Sequence, residues 1–331
     1  MKKFTNISPR AFEHPADRAA LSALRKIRGF DLVLKKVMGL IGERRLRLIF
    51  LASALRIDSE QKPEMHKIFL EVCEQFDLSE TPELYLTYSA EMNASAIGVD
   101  HPFVVLNSGL VERLSNEELQ YVMAHEVGHI LSGHSLYRTL LLLILHLSNQ
   151  LLGIPKLLFM PILVGLYEWS RKSELTADRA GLLSVQDLNV AQAVILKLCG
   201  ASDLNSFNVK AFEKQAEEYE ESKDLIDNVF KFLNLIFRTH PFPVLRLREI
   251  RRFFESAEYK SAIAGEYPKR SPEDLKHLAE DLASAKESYS DSISKTKDTV
   301  VESIANFWDD VETRGAEAWD AIFKPKKKTG N

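Results

Sequence analysis

Glu117-Glu118-Leu-Gln-Tyr-Val-Met-Ala-His125-Glu126-Val-Gly-His129-Ile-Leu-Ser-Gly-His134 is the stretch that decides how the chain is read. Ser115-Asn-Glu-Glu118, at its start, has the form of a capping box. There the serine side chain and the glutamate three residues on satisfy each other's orphan amides, so a helix is predicted from about Asn116. Positions i and i+4 on a helix lie about 40° apart. His125 and His129 therefore share a face on which a tetrahedral zinc can take both imidazoles. Glu126 stands beside them, placed to act on a metal-activated water. The bland alternative is a helix that happens to carry two histidines beside an acid, and the specificity of the HExxH pattern weighs against it.

A catalytic zinc usually has three protein ligands and one open position. His134, His101, His240 and the downstream carboxylates are the candidates for the third. On a continuous helix His134 would lie about 180° round from His125. An HExxHxxGxxH pattern fails because position 135 is Ser. Glu174-Leu-Thr-Ala-Asp178 offers Glu174 as the third ligand. Asp178 follows one turn later on the same face, where it can accept the second ring N–H of a ligand histidine and fix its tautomer. A bare ExxxD is commonly a solvated helix face, and this one gains weight only by following an HExxH helix.

Outward from these motifs the pattern is mostly helical. From Pro15 to about Leu55 the apolar residues recur at threes and fours, broken near Gly29, which predicts a pair of amphipathic helices. Lys62 to Phe76 reads as another helix. PELYLTY, NASAIGV and FVVLN then read as short strands separated by Asn, Gly, Asp and Pro. Helical patterning returns from Ser184 to Phe237 and from Val244 to Phe254. The expected fold is mainly α (α+β), a metallopeptidase-like core with a small edge-strand sheet. The expected division is a helical segment over 1–60, a catalytic domain over 61–257 and a polar helical extension over 258–331.

The sequence resembles the zinc metallopeptidases of the HtpX and CAAX prenyl endopeptidase type. The resemblance runs from about Glu64 to Arg252, through NASAIGVDHPFVVLNSGLVERL, EELQYVMAHEVGHILSGH, YEWSRKSELTADRAGL and THPFPVLRLREI. It implies one zinc per chain on His125, His129 and Glu174, with Glu126 as general base and Asp178 behind a ligand. It implies further that the edge strand Asn93, Ala94, Ser95 and Ala96 pairs with an extended polypeptide substrate. His240 would help hold the developing oxyanion, and Arg246 would help organise the site. The activity implied is zinc-dependent endopeptidase hydrolysis, in quality control of membrane or misfolded proteins. The rival is a zinc-bearing but proteolytically idle or latent scaffold that binds membrane or partner proteins.

Thr139 to Tyr167 is the most apolar part of the chain, with Lys156 as its one formal charge and Pro155 and Pro161 inside. His125, His129 and Glu174 must meet at one metal, so the chain between them crosses a membrane an even number of times. A single crossing is excluded, and two crossings need about 40 apolar residues plus a turn. A helical hairpin over 139–167 that packs on the domain or dips into one leaflet is the expectation. The extension after Ser271 carries Trp308, Trp319 and Phe323 ahead of Lys324, Lys326, Lys327 and Lys328. Two readings stay open for it, an anionic membrane surface or packing on protein.

Composition sets the frame. The chain has 331 residues, 43 Lys+Arg against 47 Asp+Glu and a formal net charge of -4. Interspersed charge of this balance argues against nucleic acid, which needs a concentrated basic surface. The two cysteines, Cys73 and Cys199, make no CxxC pair and no disulfide framework. With no apolar run after the N-terminal lysines, the expected location is cytoplasmic, peripheral on the cytoplasmic face of a membrane.

Overall fold

The computed structural model describes residues 2–40, 43–146, 156–201, 206–221 and 243–271. In chain order these form α1 (Pro15–Arg25), α2 (Phe30–Leu40), α3 (Glu43–Ser53), β1 (Leu55–Ile57), α4 (Pro63–Gln75), β2 (Leu84–Thr87), β3 (Ala94–Ile97) and β4 (Phe103–Asn107). The short α5 (Ser108–Val111), α6 (Asn116–Leu131), α7 (His134–His146), α8 (Lys156–Val185), α9 (Leu188–Leu198), α10 (Val209–Glu221), α11 (Pro243–Glu255) and α12 (Ala257–Ala264) follow. The architecture is mainly α around one small sheet, as expected. The N-terminal pair of helices is in fact three, with Gly29 between the first two. β1 escapes the sequence reading because Leu55 and Arg56 are exposed and only Ile57 is buried, so the stretch shows no alternation.

The sheet runs in the order β1-β2-β4-β3, with β2 and β4 parallel and the outer pairs antiparallel. Its residues alternate between two cores. Leu84, Val104 and Leu106 face Phe69, Val72, Phe76 and Val127. Tyr85, Phe103 and Val105 face Phe30, Tyr137, Leu140 and Trp169. With both faces covered, FVVLN is apolar throughout rather than alternating with polar residues. β3 is an edge strand. The Asn107 N–H donates to the Asn93 carbonyl at 3.0 Å. By the alternation of an antiparallel ladder, the backbone groups of Ala94 and Ala96 therefore point away from β4. The Thr139 hydroxyl accepts from the Gly98 amide at 2.9 Å, which ties the end of β3 to α7.

The capping box forms as predicted, with Ser115 and Glu118 bonded to each other's backbone amides. α6 ends at Leu131, and Gly133 takes a left-handed conformation (φ 69°) before α7 begins at His134. α7 and the first half of α8 are two apolar arms that carry the described residues of the stretch 139–167. Leu140, Leu143, Ile144, Ile162 and Leu166 on these arms are buried in the second core. Among the described residues, no helix is long and apolar enough to cross a membrane. Ser148, Asn149, Gln150, Pro155 and the extension after Ser271 lie outside the described residues.

α6 and α8 approach closely because each lacks a side chain where the other presses. A Cβ on Gly128 would stand 2.5 Å from the Ala180 Cβ, and one on Gly181 would stand 2.7 Å from the Tyr121 ring. Gly128→Ala is expected to lower the thermal midpoint. Overpacking costs about 1–3 kcal/mol, which exceeds the roughly 1 kcal/mol that alanine gains over glycine in a helix. A midpoint equal to or above the wild-type value in a melting experiment would show that the helices part freely here.

Candidate active site

The HExxH residues sit on the inward side of α6, in its buried C-terminal half. His125, Glu126 and His129 are all buried, and one ligand atom from each lies within 4.8 Å of the others. α8 runs alongside and brings Glu174 and Asp178, both buried, to the same point. The two Nε2 atoms of His125 and His129 are 3.2 Å apart. Glu174 Oε2 is 3.4 Å from the first and Oε1 is 3.3 Å from the second. Donors that share a tetrahedral zinc at 2.0–2.1 Å lie about 3.3 Å from one another. The two imidazoles and one carboxylate, with a different oxygen facing each nitrogen, therefore supply the kinds and spacing of donor that the implied metal takes.

Each ligand candidate is held from behind. His125 Nδ1 is 3.1 Å from Asp178 Oδ1. Arg246, buried on α11, donates to Asp178 through Nε at 2.8 Å and Nη2 at 2.6 Å. The Tyr121 hydroxyl donates to the same Oδ1 at 3.0 Å. Burial alone would raise the Asp178 carboxyl, but the Arg246 charge and hydrogen bonds, joined by His125, bring it down to about 2. His129 Nδ1 is 3.0 Å from His134 Nδ1. Burial, with the Arg138 charge beside it, holds the His129 imidazole well below its ordinary value.

Glu126 is placed differently from Glu174. Its carboxylate takes the backbone N–H of Ala96 on the edge strand, and burial raises it above its ordinary value against the pull of Arg138 and His125. Its Oε2 is buried without a hydrogen-bond partner among the described residues. Arg138, on α7, stands among the donor atoms. Its Nη1 is 2.8 Å from His129 Nε2 and also bonds Glu174 Oε1. A metal held by this set would compete with that guanidinium for both atoms.

The structure thus brings together His125, Glu126, His129, Glu174, Asp178, Arg246 and the backbone of Ala96. Asn93 begins the edge strand, where its side chain accepts from the Ala94 amide at 3.0 Å, and Ser95 pairs with Val105. His240 lies outside the described residues. His101 is exposed and away from the site, 3.6 Å from Glu80. Sequence reasoning set His134 on the far side of the helix. The break at Gly133 removes the premise of that geometry and returns His134 to His129. Tyr121, Arg138 and Asp17 were also missed, since nothing in their local sequence marks them.

The model of peptidase family M48 matches residues 59–253. The chain belongs to this family. The plastoglobule-localized metallopeptidase 48 of Arabidopsis thaliana chloroplasts is 31% identical over 265 residues, 78% of this chain and 77% of its own length. An HtpX protease homologue of Helicobacter pylori strain J99 is 38% identical over 77 residues, 23% of this chain and 25% of its own. One from Aquifex aeolicus is 34% identical over 89 residues, 26% and 29% of the two chains. No solved structure matches. This M48 chain is accordingly a metalloprotease, and its family implies a metal at the buried His-Glu-His group and polypeptide substrates.

Proposed function

We propose that the chain is a zinc-dependent endopeptidase that cleaves extended polypeptides, with one zinc held by His125, His129 and Glu174. The observation that carries this reading is the buried cluster of two imidazole Nε2 atoms 3.2 Å apart and one carboxylate whose Oε1 and Oε2 lie 3.3 and 3.4 Å from them. When bound, zinc supplies a Lewis acid that polarises the scissile carbonyl and acidifies a water. Glu126 takes the proton from that water on its unpartnered Oε2 and returns it to the leaving amine. The raised affinity of this carboxyl for protons suits both transfers. Asp178 keeps the His125 hydrogen on Nδ1, and Arg246 keeps Asp178 charged.

The substrate main chain adds as a strand along β3, with the outward carbonyls of Ala94 and Ala96 accepting its amides while the N–H groups of those residues are held by Asn93 and Glu126, so recognition favours extended backbone. His240 is assigned to the oxyanion on the family pattern alone. The catalytic domain is set at 61–257, with the hairpin 139–167 inserted. The protein is placed in the cytoplasm, peripheral on the membrane, in quality control of membrane or misfolded proteins. The test pairs zinc analysis of the purified full chain with casein cleavage before and after chelation. Stoichiometric zinc and cleavage lost with the chelator and restored by zinc are expected. Stoichiometric zinc with no cleavage of any substrate would favour the idle-scaffold reading instead.

A further inference from the structure

His129 is held by a chain of buried groups that ends outside the family-matched region. His129 Nδ1 lies 3.0 Å from His134 Nδ1, and His134 Nε2 lies 3.0 Å from Asp17 Oδ2. All three side chains are buried, and the Trp169 ring packs edge-on against His134 with centroids 5.5 Å apart. Asp17 belongs to α1 in the N-terminal segment, ahead of residues 59–253.

The hydrogens along this chain can be assigned from groups whose roles are fixed. An arginine only donates. Arg138 Nη1, 2.8 Å from His129 Nε2, therefore marks that nitrogen as the acceptor, so a neutral His129 carries its hydrogen on Nδ1. Among the described residues its partner there is His134 Nδ1, which must accept. His134 in turn carries its hydrogen on Nε2 and donates it to the Asp17 carboxylate. At the far end the Thr176 hydroxyl accepts from the His14 amide at 3.0 Å and gives its own hydrogen to Asp17 Oδ2 at 2.6 Å. Every hydrogen in the series points toward Asp17, and the lone pair of His129 Nε2 is left facing His125 and Glu174.

We infer that His134 and Asp17 are positioning residues that hold His129 in the tautomer and orientation needed to ligate metal through Nε2, so that the N-terminal helix is part of the metal site. This mirrors what Asp178 does for His125, with a histidine inserted between carboxylate and ligand. It rests on the reading of His129 as a ligand.

The experiment uses the full-length chain and two readouts other than activity. Zinc affinity is measured by competition with a chromophoric chelator. The tautomer of His129 in the metal-free protein is read from its ring nitrogen shifts in two-dimensional NMR. His134→Phe keeps a ring against Trp169 and is expected to weaken zinc binding about 10- to 100-fold, the usual effect of losing a group behind a metal ligand. Asp17→Asn is close to isosteric and is expected to lower affinity in the same direction and to populate the Nε2–H form of His129. Asp17→Glu should recover part of the loss.

If His134→Phe does not fold, Asp17→Asn alone decides. Wild-type affinity and an unchanged His129 tautomer in folded Asp17→Asn would overturn the inference. His129→Ala separates the two levels. If that variant binds zinc as the wild type does, the ligand reading fails. If it loses zinc while Asp17→Asn and His134→Phe do not, only the positioning role fails.

Discussion

Glu126→Gln is expected to bind metal as the wild type does and to lose peptidase turnover by about 10²- to 10⁴-fold, the range that a positioned general base contributes. The amide is nearly the same size as the carboxylate, so the pocket keeps its shape and Ala96 N–H keeps an oxygen to bond. What disappears is a group able to take a proton and give it back. The loss should appear in kcat more than in KM, because the proton is transferred in the transition state and contributes little to ground-state binding. Metal content, melting temperature and casein turnover measured on one preparation check all three parts. Cleavage at the wild-type rate by a metal-loaded Glu126→Gln would remove Glu126 from the mechanism.

Asp178→Ala is expected to cost both stability and metal affinity. It strips the acceptor from His125 Nδ1, the acceptor from the Tyr121 hydroxyl and the counter-charge from Arg246. Breaking one side of a buried ion pair costs about 3–5 kcal/mol, and Arg246 would keep only the more distant Glu174 carboxylate, 3.9 Å from its Nη1, to offset its charge. Metal affinity should fall in addition by about 10- to 100-fold, since His125 loses the group that orients it. The pair Asp178→Ala with Arg246→Met separates the two effects. Removing both charges should recover much of the stability, as replacement of buried ion pairs by apolar groups often does. It should leave the metal affinity low, because nothing returns to His125 Nδ1. Denaturant unfolding of the metal-free proteins and metal competition titrations read the two quantities separately. Equal recovery of both in the double variant would mean that Asp178 serves only to neutralise Arg246.

Much of this site is legible in the sequence because it is local. His125, Glu126 and His129 lie within one helical turn or so, and helix geometry alone puts both histidines on one side. Glu174 and Asp178 are likewise one turn apart on a single helix, so once the first is set against the metal the second is near it. The short, largely apolar character that marks β2, β3 and β4 between turn residues is also local. β1 lacks it, having only one buried residue, and it exists because β2 offers an unpaired edge.

His134 shows where local reasoning ends. Its place was inferred from a continuous helix, and a single left-handed residue, Gly133, starts a new helix axis at that position. Asp17 is farther still from the motif in sequence. It reaches His134 because α1 packs along α8, where Leu24 and Ile27 lie against Gly165 and the Thr176 hydroxyl bonds Asp17. Arg138 depends on the direction in which α7 leaves the turn.

The order of residues along the chain thus sets the chemical kind of the site: two imidazoles and a base at helical spacing, with a second acidic pair to complete them. That much follows from the rise and twist of an α-helix and needs no knowledge of the rest of the chain. Which groups stand behind those ligands and fix their protons depends on how distant elements pack together. Each of these contacts joins two elements whose approach is set by packing, such as the missing side chains at Gly128 and Gly181. No periodicity in the chain encodes that approach.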